Sequence, residues 1–140
     1  MEPIKLRYVV DGEDFTSAGE ASAAVKKILK QLGFDSEVIR RVSISMYEAE
    51  INMVIHAGGG VATVEIDEDK IVITLKDEGP GIANVELAMQ EGFSTAPDNV
   101  RMLGFGAGMG LPNIKKYSDD FEIKTEVLKG TTLVITVKSK

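Results

Sequence analysis

The sequence predicts an α/β (α+β) two-layer sandwich, in which a mixed, mostly antiparallel sheet of about five strands is covered on one face by helices. Three observations carry this expectation. Short segments alternate apolar and polar residues with period two, most of them fall in pairs joined by turn residues, and the stretches between them repeat apolar residues at helical intervals. A strand of such a hairpin has one apolar face that needs a helical layer over it. With 140 residues, 44% of them apolar, the chain can fill one core without disulfides or metals, so residues 1–140 are expected to form a single domain.

The elements follow in order. Ile4 to Val10, rich in branched apolar residues, reads as a first strand closed by Asp11-Gly12. Ser17 and Glu20 have capping-box spacing for a helix whose Ala21, Ala24, Val25, Ile28, Leu29 and Leu32 recur at helical intervals before Gly33. A second helix is expected from Asp35 or Ser36 to about His56, ended by Gly58-Gly59-Gly60. Val61 to Asp67 and Lys70 to Lys76 read as a hairpin about Glu68 and Asp69. A turn from Asp77 to Ile82, a short helix from about Asn84 to Glu91, a long glycine-containing loop to Gly110 and a helix from Leu111 to about Tyr117 come next. Phe121 to Val127 and Thr131 to Val137, joined at Lys129-Gly130, close the pattern. The loop from Gly92 to Gly110 is longer than a connection needs, and long ordered loops in small domains are often lids.

Composition excludes several classes. There is no cysteine and one histidine, so thiolate and His-rich zinc sites are ruled out. Sixteen basic against 22 acidic side chains give a net charge of −6, and the basic residues do not cluster, so nucleic acid is not expected as a ligand. No stretch has the length of a membrane span and the start lacks a signal-peptide layout, so the expectation is a cytoplasmic protein with no membrane partner.

Three motifs carry chemistry. On the second helix Val38, Val42, Met46, Ala49 and Met53 form one apolar stripe and Ile44, Ile51 and Ile55 another. Glu48, Asn52 and His56 lie between the stripes, whereas Arg40, Ser43, Tyr47 and Glu50 fall on the opposite side, expected to face solvent. A carboxylate and a carboxamide one turn apart can serve one ligand, the amide oxygen holding a hard cation and the carboxylate taking a proton; alone, they are equally an exposed i,i+4 pair. The second motif is Asp77-Glu78-Gly79-Pro80-Gly81, a strand-end carboxylate followed by glycines that let a flat ring approach the backbone. An ionised aspartate only accepts hydrogen bonds, which suits an exocyclic amino group such as that of adenine; the same residues also make ordinary surface turns. The third, Gly104-Phe105-Gly106-Ala107-Gly108-Met109-Gly110, sets four glycines immediately before a helix, so backbone amides and a helix N-terminus can face an anion, although a flexible hinge has the same composition.

Taken together, Glu48 to Ala57, Asp77 to Ile82 and the Gly104 to Gly110 run, with Gly130-Thr131 before the last strand, resemble the ATP-binding superfamily of gyrase, heat-shock chaperones, histidine kinases and mismatch-repair ATPases. The resemblance implies the histidine-kinase-like ATPase fold, ATP and magnesium (Mg2+) as cofactors, Asn52 as the magnesium ligand, and Asp77 on the adenine amino group. It further implies Thr131, with Thr132 a close second, near adenine through water. It carries nucleotide contact onto His56, Gly79, Gly81, Ile82, Gly104, Gly106, Gly108, Met109, Gly110 and Leu111 as well. Gly92-Phe93-Ser94-Thr95, Gly108-Met109-Gly110-Leu111-Pro112 and Asp119 to Ile123 are most similar to the bacterial serine/threonine switch kinases and anti-sigma factor kinases. That resemblance implies Glu48 as catalytic base and a STAS-domain antagonist protein as substrate. A sigma factor as partner and a homodimer are compatible with it, as is an anti-sigma factor or adaptor that sequesters its partner without phosphoryl transfer.

Overall fold

Period-two alternation becomes strand, and the helical intervals become helix, with ends shifted by a residue or two. The computed structural model describes residues 2–12, 18–79, 81–82, 89 and 110–139. Their order is β1 (Ile4–Asp11), α1 (Glu20–Gln31), α2 (Ser36–Ala57), β2 (Gly59–Ile66), β3 (Lys70–Lys76), α3 (Gly110–Tyr117), β4 (Asp120–Glu126) and β5 (Gly130–Lys138). The short helix expected from about Asn84 to Glu91 and the glycine-rich run before Gly110 lie outside the described residues.

The five strands form one sheet in the order β1-β2-β3-β5-β4, antiparallel at every pairing. Because the side-chain period is two, one register decides which face each residue takes. Ala62, Val64 and Ile66 of β2, Ile71, Ile73 and Leu75 of β3, and Leu133, Ile135 and Val137 of β5 are all buried on the helix side. Each large aliphatic chain buried in this way contributes about 1.5–3 kcal/mol relative to exposure. The other face carries Lys5, Arg7, Thr63, Glu65, Glu122 and Lys124, all exposed, and needs no second cover.

The helical layer is centred on α2, which contacts α1, α3 and the sheet. Its Val38, Val42, Met46, Ala49 and Met53 are buried as one stripe, and Ile51 is buried beside them. On the side expected to be wet, Arg40 and Tyr47 are exposed and Ser43 is half-buried, its hydroxyl donating to the Ile39 carbonyl at 2.7 Å. Glu50 departs from the expectation: it is 2% exposed. The N-terminus of α1 abuts this side of α2, and the Glu50 carboxylate accepts hydrogen bonds from the N–H groups of Gly19 (2.8 Å), Ala21 (3.4 Å) and Ser22 (3.0 Å) and from the Ser22 hydroxyl (2.7 Å). Helix α1 therefore begins at Glu20, later than a Ser17 cap with Glu20 at its third position implies, and its unsatisfied N–H groups are met by a residue of the next helix. Ser17 itself lies outside the described residues.

Candidate functional site

The ends of β3, β4 and α2 and the starts of β5 and α3 lie at one end of the α2 layer. Asp77 follows β3 directly and stands beside the first residues of β5. Its N–H donates to the Thr131 carbonyl at 3.0 Å, and its Oδ1 accepts from the N–H of Thr131 at 3.1 Å and of Gly79 at 2.9 Å. The backbone has thus claimed one carboxylate oxygen. Oδ2 has no hydrogen-bond partner among the described residues.

The two glycines of the turn are required for different reasons. At Gly79 an added Cβ would meet Cα and Cβ of Ala57 at 2.7 Å, so the turn lies directly on the last residue of α2. At Gly81 φ is +77°, a left-handed conformation that favours glycine, and a Cβ would meet the Glu126 carbonyl oxygen at 2.4 Å. Ile82, next in line, donates its N–H to the Thr125 hydroxyl at 2.8 Å. The Thr125 and Thr131 hydroxyls are in turn 2.8 Å apart across the β4–β5 ladder, where these residues are register partners.

Glu48 and Asn52 are both half-buried, one turn apart on α2. They belong to a stripe with Arg41 and Ser45 that faces α3. Asn113 Nδ2 donates to Glu48 Oε1 at 3.5 Å, and Arg41 Nε donates to the Tyr117 carbonyl at 3.1 Å. These two contacts make α3 antiparallel to α2 and direct the start of α3, at Gly110 and Leu111, toward the turn that holds Asn52. Ser45, wholly buried in this stripe, has the one buried side-chain polar atom without a partner among the described residues. A second clamp closes the far end: Arg41 Nη2 donates to Asp119 Oδ2 at 2.6 Å, and that oxygen also accepts the Lys138 N–H at 2.6 Å. Burial alone would push the Asp119 carboxyl up, but the Lys138 N–H and the Arg41 guanidinium outweigh it and hold the group below the usual aspartate range.

Of the residues singled out in the sequence, Asp77, Gly79, Gly81, Ile82 and Thr131 come together at the strand ends, with Glu48 and Asn52 on the adjoining helix and Leu111 at the start of α3. Thr132 does not join them. It sits on the open face between Lys76 and Lys124, whereas Thr131 is buried on the helix side. His56 lies in the last turn of α2, but its side chain is outside the described residues, as are Gly104, Gly106, Gly108 and Met109. Two members of the network, Thr125 and Asn113, were not anticipated. The hairpin turn held the signal for the first, since pairing Glu126 with Gly130 sets Thr125 opposite Thr131.

A family model described as the histidine kinase-like ATPase domain matches residues 13–137. The chain belongs to this family. Among curated relatives, the serine/threonine-protein kinase RsbT of Bacillus subtilis is 30% identical over 112 residues, covering 77% of this chain and 78% of that protein. An anti-sigma F factor of Clostridium acetobutylicum is 31% identical over 140 residues, covering 96% and 92%. Among solved structures, the RsbU and RsbW domains of Rv1364c from Mycobacterium tuberculosis match with a TM-score of 0.65 at 17% identity, covering 96% of this chain and 32% of that longer one. The mycobacterial sensor histidine kinase MprB matches with a TM-score of 0.54 at 16% identity, covering 96% and 97%. At such identities these two likenesses concern the fold alone. The histidine kinase-like ATPase fold identifies ATP as the implied ligand, and one feature suits it: an acceptor oxygen left over at Asp77. Among the described residues no helix is long and apolar enough to cross a membrane.

Proposed function

We propose that this ATPase-family chain is a magnesium- and ATP-dependent serine/threonine protein kinase of a bacterial partner-switching module, and that it phosphorylates a STAS-type antagonist protein. The observation that carries this reading is the contrast between two glutamates on α2. The Glu50 carboxylate is spent on four donors and is buried, whereas Glu48 is half-buried, holds among the described residues one long 3.5 Å contact from Asn113, and lies one turn before Asn52. A base must keep an oxygen available for an incoming proton, and among the described residues nothing claims Glu48 Oε2.

On this reading Asp77 Oδ2 accepts the adenine amino group and Thr131 meets the neighbouring edge of the base through water. The Asn52 carbonyl oxygen holds magnesium, and the amide N–H groups at the start of α3 face the phosphates. Bound magnesium-ATP supplies a transferable γ-phosphoryl group with part of its charge neutralised. Glu48 would take the proton of the acceptor serine or threonine hydroxyl, whose own oxygen would receive the phosphoryl group while ADP leaves. RsbT, named a serine/threonine-protein kinase, supports phosphoryl transfer.

A second reading, an ATP-binding anti-sigma factor that sequesters its partner, is favoured by the anti-sigma F factors among the relatives. One experiment separates the two: incubation with magnesium-ATP and a STAS-domain protein, followed by mass spectrometry of that protein. A phosphoserine or phosphothreonine that falls at least ~100-fold in Glu48→Gln is expected, in line with loss of a general base. No phosphate on the acceptor, together with nucleotide-dependent capture of a sigma factor, would select sequestration. Asp77→Asn is expected to weaken a non-hydrolysable ATP analogue about tenfold or more, because an amide can turn a donor toward the base.

A further inference from the structure

The hydroxyl of Thr125 is the least expected member of the site. It accepts the Ile82 N–H at 2.8 Å, lies 2.8 Å from the Thr131 hydroxyl, and approaches the Gly130 carbonyl oxygen at 3.3 Å. Its one proton can go to Thr131 or to Gly130. The Gly130 contact is long for an O–H···O bond, and the 2.8 Å contact with Thr131 holds whichever of the two hydroxyls donates. When Thr125 donates to Thr131, the Thr131 proton is free for another acceptor.

The edge of the base that matches this arrangement is specific. Among the described residues Asp77 keeps a single acceptor oxygen, because Oδ1 already serves the N–H groups of Gly79 and Thr131, and Thr131 also carries a hydroxyl. Adenine presents the complement, an amino donor next to the N1 acceptor. Guanine presents a carbonyl in place of the amino group, and a carboxylate with one free oxygen cannot grip its adjacent N–H donors with both oxygens.

We propose that Thr125 is a specificity-determining positioning residue: it holds the Thr131 hydroxyl as a donor toward purine N1, directly or through one water. This rests on the reading that adenine binds at Asp77 and Thr131. Thr125→Val tests it sharply. A methyl carbon in place of Oγ1 would stand 2.8 Å from the Thr131 oxygen, inside van der Waals contact, so that oxygen must rotate away and lose its aim.

The probes are a non-hydrolysable ATP analogue, its 1-deaza form, which replaces N1 by C–H, and its purine form, which lacks the amino group. Dissociation constants of all three are measured by calorimetry on the wild type, Thr125→Val and Thr125→Ser. In the wild type the 1-deaza form is expected to bind about fivefold more weakly than the parent, the equivalent of one neutral hydrogen bond. In Thr125→Val that ratio should fall toward one while the penalty for the missing amino group stays at its wild-type size, and Thr125→Ser should restore both. An unchanged 1-deaza ratio in Thr125→Val overturns the proposal, as does a wild type indifferent to N1. Parallel loss of both ratios would also overturn it, reducing Thr125 to a general support of the turn. A wild type that binds none of the probes refutes the ATP site itself.

Discussion

Glu48 and Glu50 are two residues apart, and helical geometry turns them about 200° from each other. The wheel gives them different surroundings but sends Glu50 to solvent, because it cannot know that the start of α1 will be laid against Glu50 and leave it the more buried of the two. That contact converts an apparently wet position into a buried carboxylate with four donors. Replacing it by glutamine sets an NH2 group against backbone N–H groups on one side or the other. Glu50→Gln is therefore expected to cost about 2 kcal/mol in urea unfolding, with the slope of the transition unchanged. Leu128 is the opposite kind of outlier. It is 84% exposed and has φ +68° at the third position of the turn closed by Lys129 N–H to the Glu126 carbonyl, as in a type II turn. Leucine gains nothing there and bears the left-handed strain, so Leu128→Asn should raise stability by about 0.5–1 kcal/mol, visible as a higher melting temperature. Neither effect is legible in residue type alone. Asp77 is nearer to legible, because a strand-end aspartate before glycines already limits what its carboxylate can do.

At the scale of elements, the periodic signals transferred well. Both hairpins, the buried stripe of α2 and the amphipathic α1 follow from alternation and helical spacing. What periodicity cannot contain is the crossing of one helix over another, since that depends on contacts between residues far apart in sequence. The stripe of Arg41, Ser45, Glu48 and Asn52 is such a case: polar in sequence, it is the seam on which α3 lies. Arg41 and Asp119 fix the end of that seam, and the pH dependence follows from the lowered Asp119 carboxyl. A group held below its unfolded pKa adds stability that is fully present above the ordinary aspartate value of about 4 and is lost as pH falls through the lowered one. The stability difference between wild type and Asp119→Asn should thus shrink as pH is taken from 6 toward 2. With both partners partly in solvent, its full size should not exceed about 1 kcal/mol.

For the whole molecule, the two-layer plan was legible because every strand needed cover on one face only and the intervening helices could supply it. The strand order was not. Pairing β3 with β5, so that Lys76 meets Thr132 and Lys70 meets Lys138, joins two hairpins that local turns already specify, and pairing β1 with β2 across α1 and α2 is the other long-range choice in the sheet. The candidate site spans that join, with Asp77 on one side and Thr125 and Thr131 on the other.

The β3–β5 pairing joins two hairpins into one sheet, and local opening of that join is the motion that would part the two sides of the site. A nucleotide held from both sides would act as a cross-brace and resist that opening by RT ln(1 + [L]/Kd), about 2.7 kcal/mol at a hundredfold excess over Kd. Hydrogen exchange with and without ATP should register this as slower exchange of the amides that bridge β3 and β5, with little change in those that join β1 to β2. Sheet order alone would then have made the ligand part of the fold's cooperativity.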